Sequence, residues 1–321
     1  MSGGRTAAGS RPQRQSVDGF VLLDKPSGLS SNRALQTAKR YLRATKAGHA
    51  GTLDPMATGM LPLCFGQATK ASGRLLGSGK AYRGRVQLGT ATDTADAEGT
   101  VTREAPLPAL SEQLVLDVFE RLRGVREQVP PMYSALKRGG RPLYELARRG
   151  EQVERQARRI SIDRLALLEI AGSTIEFEVQ CSKGTYVRVL AEEIATQLGT
   201  VGHLNALRRL WVEPFMDQPM VELAALEQWS DAGGGEDTPA WLLPVDSVFA
   251  DLPRVDLETG DVRQLFQGRV LAAPASMPDT KRATVYGPDG RFLGLVSLEL
   301  GELRVARLFV NTQDAIRVNR A

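Results

Sequence analysis

Ile160-Ser161-Ile162-Asp163-Arg164-Leu165-Ala166-Leu167-Leu168-Glu169-Ile170-Ala171-Gly172-Ser173-Thr174-Ile175-Glu176-Phe177-Glu178-Val179-Gln180 reads as two strands folded back on each other. In the second arm Ile175, Phe177 and Val179 alternate with Glu176, Glu178 and Gln180. One face is therefore apolar and the other polar, as a half-buried antiparallel strand requires. The arms span 160–170 and 173–180, with Ala171-Gly172 as the turn between them.

Outward from this pair, helices and strands mix. Phe20 to Leu23 is a short apolar strand that stops at the turn Lys25-Pro26-Ser27-Gly28. Ser31 is placed to cap a helix running to about Leu42, with Leu35, Ala38 and Leu42 on one side. Tyr82 to Leu88 alternates as another strand. Ser111 to Leu122 is a helix with Leu114, Val115, Val118, Phe119 and Leu122 inward and Gly124 as its stop, and Val187 to Leu198 is a helix closed by Gly199. The pattern breaks at Asp231 to Asp237 around Ala-Gly-Gly-Gly-Glu. Beyond Leu252, short apolar runs between frequent glycines predict a small β-barrel or sandwich.

The 321 residues suffice for one large domain and a smaller one, each with a core. Cys64 and Cys181 form no ligand or disulfide pattern, which fits a reducing cytoplasm. No apolar run approaches the roughly 20 residues that cross a bilayer. Residues 1–17 carry Arg5, Arg11 and Arg14 without an apolar core or helical spacing, so a disordered basic tail is expected rather than a leader.

The net charge of +4 conceals a segregation. From Arg121 to Ile160 eleven basic residues face four acids, leaving the remainder net acidic. A basic patch is what a polyanion selects, since each phosphate contact releases counterions. Tyr133 and Tyr144 lie within it, and aromatics there can stack on unpaired bases. A solvated helix face would carry similar charge. Pro130-Pro131 and Gly139-Gly140 punctuate the stretch, which reads as a mobile insertion with a short helix near Leu143 to Arg149.

The chemistry concentrates in Gly48-His49-Ala50-Gly51-Thr52-Leu53-Asp54-Pro55-Met56-Ala57-Thr58-Gly59. Asp54-Pro55 is by itself a turn signal, but Gly48, Gly51 and Gly59 allow backbone shapes and a close approach that other residues resist. With only His49 and His203 in the chain and no carboxylate cluster beside them, a metal centre is not expected. Neither a Gly-x-Ser-x-Gly elbow nor a Gly-x-x-x-x-Gly-Lys-Ser phosphate cradle occurs. The reading that remains is one carboxylate, no metal and no nucleotide cofactor.

The segments His49 to Gly59, Ala81-Tyr82-Arg83, Val129-Pro130-Pro131-Met132-Tyr133-Ser134-Ala135-Leu136-Lys137 and Cys181-Ser182-Lys183-Gly184-Thr185-Tyr186-Val187-Arg188 resemble, in that order, those of bacterial tRNA pseudouridine-55 synthases of the TruB family. The resemblance runs from about Asp18 to Val245; the C-terminal part resembles that family's PUA-type RNA-binding domain more loosely. It implies an α+β pseudouridine-synthase fold, a mixed, largely antiparallel central sheet flanked by helices, with a small C-terminal β-barrel. The expected units are a tail at 1–17, a catalytic domain at 18–247 with a thumb-like insertion at about 126–159, and a PUA-like domain at 250–321.

The resemblance further implies isomerisation of the T-loop uridine of tRNA without cofactor or metal, by an enzyme expected to be a cytoplasmic monomer. Asp54 would be the essential carboxylate, attacking base or sugar. Arg188 would be its partner, expected to lower its pKa. Tyr82 would stack on the target base and is a candidate for proton transfer. His49 would fill the space left by the flipped base, Tyr186 and Leu207 would wall the pocket, and Lys183, Lys137 and Arg141 would contact the RNA. Two rivals are a non-catalytic RNA-binding protein on the same scaffold and a synthase for another uridine.

Overall fold

A computed structural model describes residues 15–234, 238–275, 277 and 280–310. Most of the expected tail, residues 1–14, lies outside the described residues, as does 235–237 of the expected break. The tail's last residues are placed: the Gln15 amide donates to the Arg43 carbonyl at 3.0 Å, and Gln15 bridges Ala44.

The leading hairpin consists of Arg158–Ala171 and Thr174–Cys181, paired antiparallel around Gly172-Ser173, one residue later than expected. Gly172 takes φ +58°, a conformation that suits glycine. Ile175, Phe177 and Val179 are fully buried while Glu176, Glu178 and Gln180 are half-buried. Helices Glu112–Leu122 and Val187–Gln197 cover the apolar face, with Phe119 edge-on to Phe177. Burial of a ring such as Phe177 contributes about 1.5–3 kcal/mol. Space for it comes from Gly84 in Lys80–Leu88, where a Cβ would lie 2.6 Å from the Phe177 ring.

This hairpin is one side of a nine-stranded sheet. Its order is Leu242–Leu243, Gly19–Lys25, Thr58–Phe65, Gly202–Val212, Lys80–Leu88, Thr174–Cys181, Arg158–Ala171 and Gly124–Gln128, with Ala47–His49 paired to Thr58–Phe65 off this path. Every pairing is antiparallel except one. Gly202–Val212 meets Thr58–Phe65 in parallel, through Arg208 opposite Thr58 and Arg209 opposite Gly59. Gly59 adopts φ +94°, and a Cβ there would come within 2.1 Å of the Arg209 carbonyl oxygen. Only glycine allows this seam, and the chain enters it directly from the Asp54 loop.

The insertion leaves the sheet after Gln128 and returns at Arg158, because Gly124–Gln128 and Arg158–Ile162 pair as edge strands. The stretch outside the sheet is therefore 129–157. Within it Lys137–Arg138 and Arg141–Pro142 form a small hairpin ahead of the helix Leu143–Ala147.

Beyond Leu252 lies a five-stranded sheet in the order Arg254–Asp256, Arg282–Tyr286, Phe292–Glu299, Glu302–Leu308, Leu271–Ala272. It curls into a half-barrel, in keeping with the small C-terminal β-barrel expected there, and among the described residues its end strands Arg254–Asp256 and Leu271–Ala272 do not pair with each other. Phe249, Phe292 and Phe309 pack together with ring centroids 5.4–6.1 Å apart and join it to the core beneath Phe20 and Leu22. Among the described helices none is long and apolar enough to cross a membrane.

Candidate active site

Asp54 stands in a loop tied down from several directions. The first helix is Ser31–Tyr41 and its cap is Ser30, whose hydroxyl accepts from the Arg33 amide at 3.2 Å. Ser31, the expected cap, instead turns its buried hydroxyl on the loop. It donates to the Leu53 carbonyl at 2.9 Å and accepts from the Leu53 amide at 2.8 Å. The fully buried Lys25 ammonium donates to the carbonyls of Leu29 at 2.7 Å, Pro26 at 2.9 Å and Pro55 at 3.1 Å. Burial lowers its pKa to about 8, with Glu98 and Asp54 acting against that fall.

On the other side, the buried Arg209 guanidinium donates to the Met60 carbonyl at 2.6 Å and the Gly51 carbonyl at 3.0 Å. Gly51 needs its freedom, at φ +92°, whereas Gly48 has ordinary backbone and open space around its α-carbon. Of the three loop glycines, Gly51 and Gly59 are thus the ones the geometry requires.

Arg188 reaches Asp54 from the first turn of Val187–Gln197. A cation at a helix N-terminus opposes the helix dipole, so this position is stabilised from outside the helix. Its Nε lies 3.0 Å from Asp54 Oδ2, and its Nη2 donates to Asp54 Oδ1 at 3.4 Å. Its Nη1 lies 3.3 Å from Asp96 Oδ2 and donates to the Thr94 carbonyl at 3.0 Å. Nη2 also donates to the Tyr133 carbonyl at 2.6 Å. The guanidinium is buried, while the Asp54 side chain keeps 35% of its surface open. Gln128 sets the start of this helix, accepting from the Tyr186 amide at 2.8 Å and donating to the Tyr186 carbonyl at 3.2 Å.

The balance at Asp54 departs from the sequence expectation. Burial raises its pKa, Arg188 lowers it, Asp96 raises it and Lys25 lowers it, and the net direction is upward. The motif predicts that Arg188 brings the value down, but desolvation of the carboxylate outweighs its charge. Asp96 is the residue that the sequence reading missed. It is 3% exposed and accepts from the Thr94 hydroxyl at 2.6 Å and the Glu98 amide at 3.1 Å. The Asp54 loop holds no second carboxylate, but Asp96 supplies one from a separate turn, across the guanidinium.

These groups open into a cleft of about 810 Å³ lined by His49, Asp54, Asp96 and Arg188, by Asp93 and Glu98, and by Tyr133, Ser134, Tyr144 and Arg148 of the insertion. His49 ends the strand Ala47–His49, and burial followed by Arg209 lowers its pKa, which keeps it neutral. Its Nδ1 finds no hydrogen-bond partner among the described residues.

Tyr82 is buried in the core below, opposite Val179 and Arg209 in the neighbouring strands, and burial raises its pKa. It does not line the cleft. Tyr186 and Leu207 are half-buried and also lie outside the lining. Lys183 is exposed in the turn before the Arg188 helix. Lys137 and Arg141 are exposed on the small hairpin, where Lys137 borders a separate hollow with Arg138 and Arg155. No group of three or more His, Cys, Asp or Glu suited to a metal ion occurs among the described residues.

Residues 39–187 match the model of the TruB family pseudouridylate synthase N-terminal domain, and residues 188–250 that of the tRNA pseudouridylate synthase B C-terminal domain. The chain is 51% identical to tRNA pseudouridine synthase B of Aromatoleum aromaticum, over 89% of this chain and 90% of that protein. It is 50% identical to the protein of the same name from Chromohalobacter salexigens, over 91% and 94%. Among solved structures it is similar to a Cbf5–Nop10–Gar1 complex, with TM-score 0.68 and 25% identity over 92% of this chain and 86% of that one.

Proposed function

The chain belongs to the TruB family of pseudouridine synthases, and from that premise we propose that it isomerises the T-loop uridine of tRNA to pseudouridine with Asp54 as the reacting carboxylate. The observation that carries the assignment is the pairing of Asp54 with buried Arg188 in a cleft roofed by the basic insertion.

In this reaction the bond from N1 of uracil to C1′ of the ribose breaks, the base turns, and a bond forms from C5 to C1′. The C5 proton leaves and N1 gains one, so the overall change is an isomerisation that needs atoms from no cofactor. Asp54 acts ionised, held in orientation by Arg188. Tyr82, kept protonated by its burial although the Arg209 guanidinium lies beside it, is taken to meet the reacting base from the core side and is a candidate for handling the proton at C5. His49, neutral and facing the cleft, fills the space of the base drawn out of its stack, a step that costs about a few kcal/mol.

Tyr186 and Leu207 are taken as walls for the extruded base, although neither lines the cleft in this structure. Arginines of the insertion take phosphates, with Lys137, Arg141 and Lys183 as further contacts. We take 18–247 as the catalytic unit, 250–321 as an accessory RNA-binding unit of PUA type, and the enzyme as a cytoplasmic monomer. No residue beyond Arg188 lines the cleft among the described residues, which supports the accessory role.

The test is release of the C5 hydrogen from labelled stem-loops in parallel. A T-arm stem-loop should be turned over, and hairpins with uridine in other loop contexts should not. Equal turnover of every hairpin would contradict the T-loop reading.

A further inference from the structure

Arg209 is 1% exposed and forms no ion pair with a carboxylate among the described residues. Its bonds to the Met60 and Gly51 carbonyls tie the Asp54 loop to the sheet, a task that a neutral donor would also perform. A second cation lies close by: a Cβ on Gly51 would stand 3.4 Å from Arg209 Nη1 and 3.7 Å from Lys80 Cε. The Lys80 ammonium donates to the carbonyls of Ser78 at 2.7 Å and Leu75 at 3.3 Å, and burial followed by Arg209 lowers its pKa to about 8. Burying a full cation without a counter-ion, beside another cation, is costly, and it calls for a neighbour that benefits from the charge.

The neighbour is Tyr82. It stands directly opposite Arg209 in the antiparallel pairing of Lys80–Leu88 with Gly202–Val212, so the two side chains share a face of the sheet, with their Cβ atoms about 4.5–5.5 Å apart. Burial raises the pKa of the phenol most. The Arg209 guanidinium opposes that rise, by its charge and as a hydrogen-bond donor to the phenol oxygen, while Cys181 and Asp54, which also face it, act upward. A phenol oxygen that accepts from Arg209 keeps its own hydrogen for another acceptor. We propose that Arg209 is a positioning residue for the isomerisation, donating to the Tyr82 phenol oxygen and, through Gly51, fixing that phenol against the loop that carries Asp54. One buried side chain then sets the spacing between the carboxylate and the phenol.

The inference rests on the uridine-isomerising reading of the cleft, and the test separates the two. A polyfluorinated tyrosine, more acidic than tyrosine, is installed at position 82 of the full chain, and its fluorine resonance is followed with pH in the absence of RNA. Arg209→Gln, which removes the charge, should raise the midpoint by about 1–3 units, and Arg209→Lys, which keeps it, by less than about one. In the chain with ordinary tyrosine, Arg209→Gln should lower the single-turnover rate of C5 release at saturating T-arm stem-loop by about 10- to 100-fold and leave the dissociation constant within about threefold. Arg209→Lys should recover most of that loss. Should Arg209→Gln not fold, Arg209→citrulline, neutral and of the same shape, carries the same predictions. A Tyr82 midpoint that moves in no variant, a rate that stays unchanged while the midpoint moves, or a rate that falls only as far as RNA binding falls would each overturn the proposal. Failure of the functional reading has a different signature: the unsubstituted enzyme does not turn over the RNA, while the Tyr82 midpoint still responds to Arg209.

Discussion

The loop carrying Asp54 and the insertion that faces it are built on opposite plans. The loop is held by Ser31, Lys25 and Arg209 through buried hydrogen bonds to its main chain, and a seam that admits only glycine follows it. The insertion has a two-residue hairpin, a short helix and many exposed cations, and it meets the proposed reaction centre through the Tyr133 carbonyl on Arg188. Chemistry needs a carboxylate fixed within a fraction of an ångström, which the first plan provides. Attraction to a polyanion needs charge but tolerates loose placement, which the second provides.

The sharpest break of this contrast is at Arg188, which belongs to both regions. Arg188→Gln should reduce the single-turnover rate by about 10²- to 10³-fold, the scale of losing a positioned charge in an enclosed site. It should also move the acid limb of the pH–rate profile upward. With Asp54 as the proposed reacting carboxylate, its burial-raised pKa predicts a rate that falls as pH drops through a value above the group's ordinary one, and loss of the opposing cation should raise that value further. Asp96→Asn removes a like charge and should move the limb down. Limbs that stay in place in both variants would show that Asp54 does not set the profile. The same shift bears on stability. Because the folded value lies above the unfolded one, ionised Asp54 opposes folding at neutral pH, and the opposition is relieved as pH falls through the raised value.

A smaller effect is expected from the insertion. Reversing Arg138, Arg141 and Arg149 together to Glu should weaken RNA binding and flatten its salt dependence, by roughly 0.9 in slope for each phosphate that is no longer neutralised. The single-turnover rate at saturating RNA should change little. An unaltered slope would remove the insertion from the interface, and a collapse of the saturated rate would show that it also builds the reaction centre.

The two plans are unequally legible in the sequence. The strand pair at 158–181, the Glu112–Leu122 helix and the charged insertion follow from periodicity and composition, which are local properties. Membership of the family rests on long ordered motifs. The ties that fix the loop are not visible there, since they depend on parts of the chain far apart in sequence. Ser31 reads as a cap because a serine before a helix usually is one, and only the adjacent Ser30 takes that role. Asp96 sits in Asp93-Thr94-Ala95-Asp96-Ala97-Glu98, which reads as a solvated acidic turn; the bridge of Asp96 to Leu204 and the reach of Arg188 bury it. The direction of the Asp54 pKa escapes the sequence for the same reason, as a neighbouring charge can be guessed from a motif and the depth of desolvation cannot. The insertion reads as wider than 129–157 because Arg126, Arg158 and Arg159, which flank it, are edge-strand residues.

The central claim is that the reaction depends on the carboxylate of Asp54 while RNA affinity does not. It is tested most directly by the single-turnover rate of Asp54→Asn at saturating T-arm stem-loop, with the dissociation constant measured on the same protein. Binding within about threefold of the unsubstituted enzyme, with C5 release reduced by about 10⁴-fold or more, is the predicted result. C5 release within about tenfold of the unsubstituted rate would contradict it.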